Sequence, residues 1–384
     1  MLTAIVTTTI NPPNFLEAYV QNFTKFDVNP DEVFFLVVGD NKTPPGYENI
    51  SNFEGLKDSF DHRELPLGAG LKYSVEYWNP KDQEWWIKDN FSQDSKEIER
   101  LIIPHNDPRR RNFGFLRAHE IGADVIITID DDNLPQPNSN WLGEHLKGLE
   151  SSYRLKVHSL NGIVNPCRLL HINEPYVYSR GYPISEFFSD NVLVYELESK
   201  KQTILNMGLW TEKPDVDSFT NLVYPNLHSS GQKFPFTYFG VEKDNYFPIN
   251  TQNTAFKKEL SIFHNLYMDP SFIHRYDDIW MGLFAQKLAN KFGDITSFGL
   301  PLVMHKRNTH NYQDDLWAEF IGIGMNSKMW KEVKDMDISS KNYTDGFLEI
   351  ADKLPKFQNP EVNKFLRTMK ESMRLWVELV GVIE

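Results

Sequence analysis

The opening forty residues change rhythm twice. "LTAIVTTTI" (Leu2 to Ile10) is β-branched and closes on Asn-Pro-Pro, and "DEVFFLVVGD" (Asp31 to Asp40) is almost continuously apolar before Gly-Asp. Between them "NFLEAYVQNF" repeats its apolar residues at helical spacing. Strand, helix, strand is the reading, a βαβ unit. Strands that alternate with helices imply a mostly parallel sheet, and ligands collect at the carboxyl ends of such strands. Asp40 stands at one of those ends. Further on, "NDPRRRNFGFLRAHEIGA" predicts a loop feeding a helix from about Arg111 to Ile121, and "VIITIDDDNLP" predicts a buried strand, Val125 to Ile129, that runs directly into Asp130, Asp131 and Asp132.

The pattern is uneven elsewhere. Trp141, Leu142, Leu146 and Leu149 mark another helix, "DIWMGLFAQKLANKFG" a strong one ending at Gly293, and "DITSFGLPLVMHKRN" a strand carrying His305. Residues 48–104, with clustered tryptophans and weak periodicity, predict an irregular insertion or lid, and 158–250, rich in Gly, Pro, Asn and Tyr, predict irregular binding loops. In the tail, Phe365, Met369, Met373, Trp376 and Val380 recur at i, i+4 with one interval of three, as expected of a helical cap or an oligomer contact. The expected fold is α/β: a mixed, mostly parallel sheet flanked by helices over residues 1–326, then a C-terminal helical extension over 327–384.

Composition narrows the function. The chain has 384 residues, 40% hydrophobic and 24% charged, the balance of a soluble globular protein. Its formal net charge of −13 argues against a nucleic-acid backbone or an anionic membrane surface as partner, and "RRR" at Arg109 to Arg111 is too short to reverse that. A single cysteine, Cys167, excludes an internal disulfide framework and a cysteine zinc site, and it is expected to be a small buried hydrophobe. The N-terminus has no basic leader, and no window approaches the ~18 apolar residues of a bilayer span, so a cytoplasmic protein is expected.

The aspartates at the strand end then need a reason. Two carboxylates one residue apart can reach one divalent cation, and Mg²⁺ or Mn²⁺ binds through one or two carboxylates plus substrate phosphates. An acidic protein can bind a phosphorylated small molecule in this way. The same aspartates also suit a solvated turn. Asp277 and Asp278 in "HRYDDIW" sit where a helix starts, so capping and dipole stabilisation would account for them. His305 suits either a satisfied core position or a metal or phosphate contact, and Arg180 in "YSRGYP" either the surface or a fixed loop.

Taken in order, these segments resemble the reversibly glycosylated polypeptides of plants, the family that includes the UDP-arabinopyranose mutases. The resemblance is carried by Arg111 to Phe115, Thr128 to Asp132, "SRGYPIS" at Ser179 to Ser185, Gly208 to Trp210 with Pro214 to Asp217, Asn253 to Phe256, Arg275 to Gly282 and Gly299 to His305. It is firm from about 109 to 325 and looser at both ends. His274 and Asn112 depart from the family pattern, which has Gly and Cys there.

The resemblance implies a GT-A-like glycosyltransferase fold. It implies that Asp130 and Asp132, with His305, hold Mn²⁺ or Mg²⁺ on the diphosphate of a UDP-sugar, with Asp40, Arg111 and Asp131 on the nucleotide side. Arg180 falls on the arginine that becomes glycosylated in the plant proteins, with Asp277 or Asp278 as the base that would take its proton. A mutase interconverting pyranose and furanose UDP-sugars is therefore expected. A glycosyltransferase using an external acceptor and a UDP-sugar-binding scaffold without turnover are the alternatives.

Overall fold

In this computed structural model the described residues are 1–12, 14–45, 47, 73–150, 155–189, 192–196, 202–235, 237–308 and 311–383. Strands β1 (Thr3–Thr8), β2 (Val33–Val38), β3 (Ser74–Trp78) and β4 (Val125–Ile129) pair in parallel in the order 3-2-1-4. All of β2 and β4 is buried, which is why they read as unbroken apolar runs and not as alternating ones. The connecting helices α1 (Asn14–Lys25), α2 (Pro80–Asn90), α3 (Ser95–Leu101) and α4 (Asn112–Glu120) follow the strands they serve.

Glycine sets the packing at α4. A Cβ on Gly114 would collide with Val6 and stand 2.9 Å from Val38 Cγ2, so the Phe-Gly-Phe run lets this helix lie directly on β1 and β2. Its flanking Phe113 and Phe115 are fully buried.

The chain continues through β5 (Asn133–Pro135), α5 (Trp141–Glu150), β6 (Leu155–Ser159), β7 (Leu170–Ile172), β8 (Val192–Glu196), β9 (Thr203–Glu212), α6 (Ser218–Val223), β10 (Ser229–Gln232), β11 (Tyr238–Val241) and β12 (Asn253–Lys257). It ends with α7 (Asp277–Phe292), β13 (Ile295–His305), α8 (Tyr312–Asp335), α9 (Tyr343–Asp352) and α10 (Pro360–Ile383). The sheet extends from β4 through antiparallel β12 and on through β9, β13, β11, β6 and β8. It is a mixed α/β sheet flanked by helices, with its parallel pairings concentrated in the N-terminal half.

Two sequence expectations change. Of the expected irregular insertion at 48–104, residues 48–72 lie outside the described residues, while 73–104 supply edge strand β3 and helices α2 and α3. The region 158–250 is not loops alone: its described residues hold five strands, β7 to β11, and the end of β6. Several are three to five residues long and rich in Ser, Gly and His, too short for a period to register.

The expected junction after residue 326 lies inside α8. The apolar stripe of α10 is used within the chain itself, since Phe365, Met369, Met373 and Trp376 belong to the same hydrophobic core as β1 and β4. Cys167 is buried beside Ser179, with Sγ and Oγ 3.2 Å apart.

Candidate active site

The register of the parallel strands decides where chemistry can gather. Thr8 pairs with Val38 and Val6 with Thr128, so β1, β2 and β4 all stop at one edge of the sheet. The strand ends and the loops that follow bring together Thr8 to Ile10, Asp40 and Asp130 to Asp132, and these line an open cavity of about 360 Å³ with Arg111 and Asn308. A second, narrower cavity of about 140 Å³ shares Pro108, Arg111, Asp130 and Asp132 with it and continues inward to Arg180, Asp215, Asp277, Asp278 and His305. The two make one cleft with an outer and an inner chamber.

The three loop aspartates face three ways. Asp131 Oδ2 accepts hydrogen bonds from Thr9 Oγ1 at 2.7 Å and from the backbone N–H of Ile10 and Asn11 at 2.9 and 3.1 Å. Its carboxylate thus pins the loop after β1. Asp130 is ion-paired with Arg111, whose Nη1 also donates to Thr128 Oγ1 and the Thr251 carbonyl. Burial raises the Asp130 carboxyl above the ordinary range, and the opposing pull of Arg111 does not cancel it. Asp132 Oδ2 accepts from the Asn308 backbone N–H at 3.0 Å and stands 3.6 Å from His305 Nε2. Asp40, at the end of β2, accepts from the Asn106 N–H at 2.5 Å and approaches His105.

His305 is oriented from behind: its Nδ1 donates to the Lys213 carbonyl at 2.7 Å, which turns Nε2 toward Asp132. Burial alone would lower its pKa, but the Asp132 carboxylate, together with the Lys213 carbonyl and Asp215, outweighs burial and raises it. A carbonyl-anchored imidazole opposite a carboxylate is the donor pair a divalent cation takes over when it displaces the shared proton. Among the described residues no three His, Cys, Asp or Glu side chains are gathered into a ready-made metal site. Asp130 in particular is turned to Arg111 and not to Asp132. Mg²⁺ and Mn²⁺ do not need a complete protein cage when substrate phosphates supply the other oxygens, so Asp132 and His305 fit such an ion.

In the inner chamber Arg180 is 6% exposed and gripped on three sides. Its Nε lies 3.2 and 3.1 Å from the two oxygens of Asp215, Nη1 donates to Asp278 Oδ1 and the Arg275 carbonyl, and Nη2 donates to Asp278 Oδ2. One N–H of Nη2 is left without a protein partner among the described residues. Burial opposes the charge, yet Asp215 and Asp278 hold the guanidinium well above its ordinary pKa, and Asp215 is in turn held below its own.

Asp277 and Asp278 begin α7, but neither acts as its side-chain N-cap; that position is Tyr276, which makes no capping bond. Asp278 is committed to Arg180. Asp277 accepts from Asn265 Nδ2 at 2.5 Å, and burial, reinforced by neighbouring Asp278, pushes it up to about 6. Arg275, with φ of 64°, reverses the chain so that its carbonyl meets Arg180. It is held in turn by Glu319 at 2.6 Å and Asp315 at 3.3 Å, both on α8.

All nine predicted site residues line the cleft, although the Asp131 carboxylate also braces the adjoining loop and those of Asp130 and Asp278 are paired with Arg111 and Arg180. Sequence reasoning gave no role to Asp215, Arg275, Asn265 or Gln252, which also line the inner chamber. Asp215 and Arg275 lie within motifs that stand out in the sequence. Asn265 and Gln252 carry no such signal.

Residues 86–383 match the family described as "Reversibly glycosylated polypeptide". The sequence is 26% identical over 298 residues to the probable UDP-arabinopyranose mutase 4 of Arabidopsis thaliana, which covers 73% of this chain and 75% of that one. It is 26% identical over 307 residues to the UDP-arabinopyranose mutase 1 of Oryza sativa subsp. japonica, with the same coverage of 73% and 75%. Among solved structures, S. aureus TarS in complex with UDP-GlcNAc aligns over 98% of this chain and 91% of that chain at 10% identity and a TM-score of 0.38.

Proposed function

The chain belongs to the reversibly glycosylated polypeptide family, and from that premise we propose that it interconverts the pyranose and furanose forms of a UDP-bound pentose, as the names of its mutase relatives suggest. The observation that carries the proposal is the continuity of the cleft. The group suited to a diphosphate, Arg111 with Asp130 and Asp132, opens directly onto the group suited to a reacting sugar, Arg180 with Asp277 and Asp278.

The uridine lies in the outer chamber beside Asp40, and the diphosphate at the shared wall. Asp132 and His305, joined by Asp130 were it to release Arg111, would hold Mn²⁺ or Mg²⁺, which would supply neutralising charge to the diphosphate. The bond between the anomeric carbon and the UDP oxygen breaks with its electron pair leaving on UDP, and Arg180 steadies the negative charge that develops. The hydroxyl destined to become the furanose ring oxygen then attacks the anomeric carbon and loses its proton. The old bond to the pyranose ring oxygen breaks, that oxygen recovers a proton, and UDP re-forms its bond.

Such a sequence needs one group that takes and returns a proton near neutral pH. Asp277, raised to about 6, has the right affinity for that exchange. Arg180 is less suited to act as a nucleophile, because its two carboxylate partners hold its protons in place. Self-glycosylation there requires Nη2 to lose a proton to a neighbour, so the electrostatic role is the one favoured by the geometry.

Incubation with UDP-arabinopyranose and Mn²⁺, followed by chromatography of the nucleotide sugars, tests the reading. A furanose product supports it. Free UDP formed only with an added acceptor replaces it with a transferase, and binding without conversion replaces it with a scaffold.

A further inference from the structure

Leaving a buried polar atom unpaired costs about 1–3 kcal/mol, so a chamber lined by such atoms is informative about what fills it. Two amide oxygens, Gln252 Oε1 and Asn265 Oδ1, are buried without a hydrogen-bond partner among the described residues, and both residues line the inner chamber. The Asn265 side chain and the Gln252 backbone are each held by hydrogen bonds. The Asn265 backbone N–H donates to Asn112 Oδ1 and its carbonyl accepts from Asn112 Nδ2, both at 2.8 Å, while its own Nδ2 donates to Asp277. The Gln252 carbonyl accepts from the Asp130 N–H at 3.1 Å, which fixes it beside the acidic loop.

The chemistry of the missing partner follows from the atom types. Carbonyl oxygens of side-chain amides only accept, so the ligand must bring O–H or N–H donors to this end of the cleft. A diphosphate is deprotonated at neutral pH and cannot provide them. It matches instead the unpaired donor on the shared wall, Arg111 Nε. A polyhydroxylated ring can provide them.

We propose that Asn265 and Gln252 form the sugar-recognition subsite, each accepting a hydrogen bond from a sugar hydroxyl, and that Asn265 in addition positions the Asp277 carboxyl against the same ring. The proposal rests on the UDP-sugar reading given above. It makes Asn112, which stands where the family pattern has Cys, part of the subsite's frame, since its reciprocal bonds to the Asn265 backbone join α4 to the loop before α7.

Calorimetric titration of UDP and of UDP-arabinopyranose onto the wild-type chain, Gln252→Ala and Asn265→Ala separates the possibilities. The wild type is expected to bind the UDP-sugar more tightly than UDP. In each variant the UDP-sugar affinity is expected to fall roughly 10- to 100-fold while UDP affinity stays within about twofold, because only the sugar meets these oxygens. Unchanged UDP binding also confirms that a variant is folded. Gln252 has no structural bond through its Oε1, so its variant remains informative should Asn265→Ala unfold. An unchanged UDP-sugar affinity in Gln252→Ala, equal losses for UDP and UDP-sugar, or no gain from the sugar in the wild type overturns the subsite and leaves the UDP reading standing. A wild-type chain that binds neither ligand removes both.

Discussion

Arg180 and Asp278 meet across 98 residues of sequence through two parallel hydrogen bonds of 2.9 and 2.7 Å, with each side chain only 7% exposed. The pair ties the Ser179 to Tyr182 turn to the start of α7 and fixes the guanidinium plane. With Asp215 on the other side, it converts a residue that is free to move in an unfolded chain into a fixed charge beside the proposed sugar site.

Removing one carboxylate from this cluster is expected to be expensive. Asp278→Asn leaves Arg180 buried with half its compensation, and loss of one partner from a buried pair costs on the order of 3 kcal/mol. Urea unfolding of the variant should register that loss, together with a fall in kcat. A stability change below about 1 kcal/mol means the pair is more hydrated than its burial indicates.

Asp277 should write its signature in the pH dependence. Its carboxyl rises from 3.8 in the ordinary chain to about 6 in the fold, mainly through burial. A group whose pKa is raised by folding contributes stability that is fully present below about 3.8 and is lost as the pH passes about 6. Asp277→Asn removes that loss, so thermal unfolding should show a gain on the order of 2–3 kcal/mol at pH 8 that shrinks toward zero at pH 4. Wild-type activity should show an acidic limb near pH 6, and turnover should fall sharply in Asp277→Asn because the proposed proton-transfer group is gone. A variant no more stable than the wild type at pH 8 contradicts the assignment.

How far the sequence alone leads is visible in particular residues. The strand Val125 to Ile129 read correctly because a fully buried strand is apolar throughout, and the aspartates after it mark its end. The helix ending at Gly293 was legible for similar reasons of period and termination. What stayed hidden is non-local. Asp215 acquires its meaning from Arg180, 35 residues away, and Asn265 from Asn112, 153 residues away. Asn265 has no local period or charge run to announce it, and the motif that holds Asp215 does not name its partner. Short strands such as β7 and the polar β10 exist only because neighbours pair with them.

The Arg180 turn depends on the residue after it. Gly181 has φ of 84°, and an added Cβ would collide with the side chain of Ile279 in the first turn of α7. Gly181→Ala therefore combines left-handed backbone strain with a clash, a cost on the order of 1–3 kcal/mol. Because the strain falls on the turn, turnover should drop more steeply than UDP affinity. Equal losses in both would show that the turn serves folding and not placement of Arg180.

Neighbouring aspartates should part company when replaced. Asp131→Asn weakens three hydrogen bonds to the loop after β1 and should lower stability by about 1–3 kcal/mol, while UDP binding keeps whatever dependence on Mn²⁺ it has. Asp132→Asn weakens the bonds to Asn308 and His305 as well, but its distinguishing effect should be loss of the Mn²⁺-dependent component of UDP binding. Calorimetric titrations with and without Mn²⁺ read both effects, and identical behaviour of the two variants rules out the division of labour.

The last helix is expected to matter to the site although no residue of it lines the cleft. Trp376 stacks on His264 at 4.2 Å between ring centroids and 10° between planes, and its Nε1 donates to the Ser261 carbonyl at 3.0 Å. His264 precedes Asn265, whose amide holds Asp277. A contact made by α10 thus bears on the proposed proton-transfer group through two consecutive residues. Trp376→Ala removes a fully buried ring and should cost about 3–5 kcal/mol. If α10 and the sheet form one cooperative unit, unfolding should remain a single transition moved to lower denaturant, and the acidic limb near pH 6 should shift because the Asn265 loop keeps only its Asn112 brace. Two separated transitions, with that limb unmoved, would instead establish the helical tail as an independent extension.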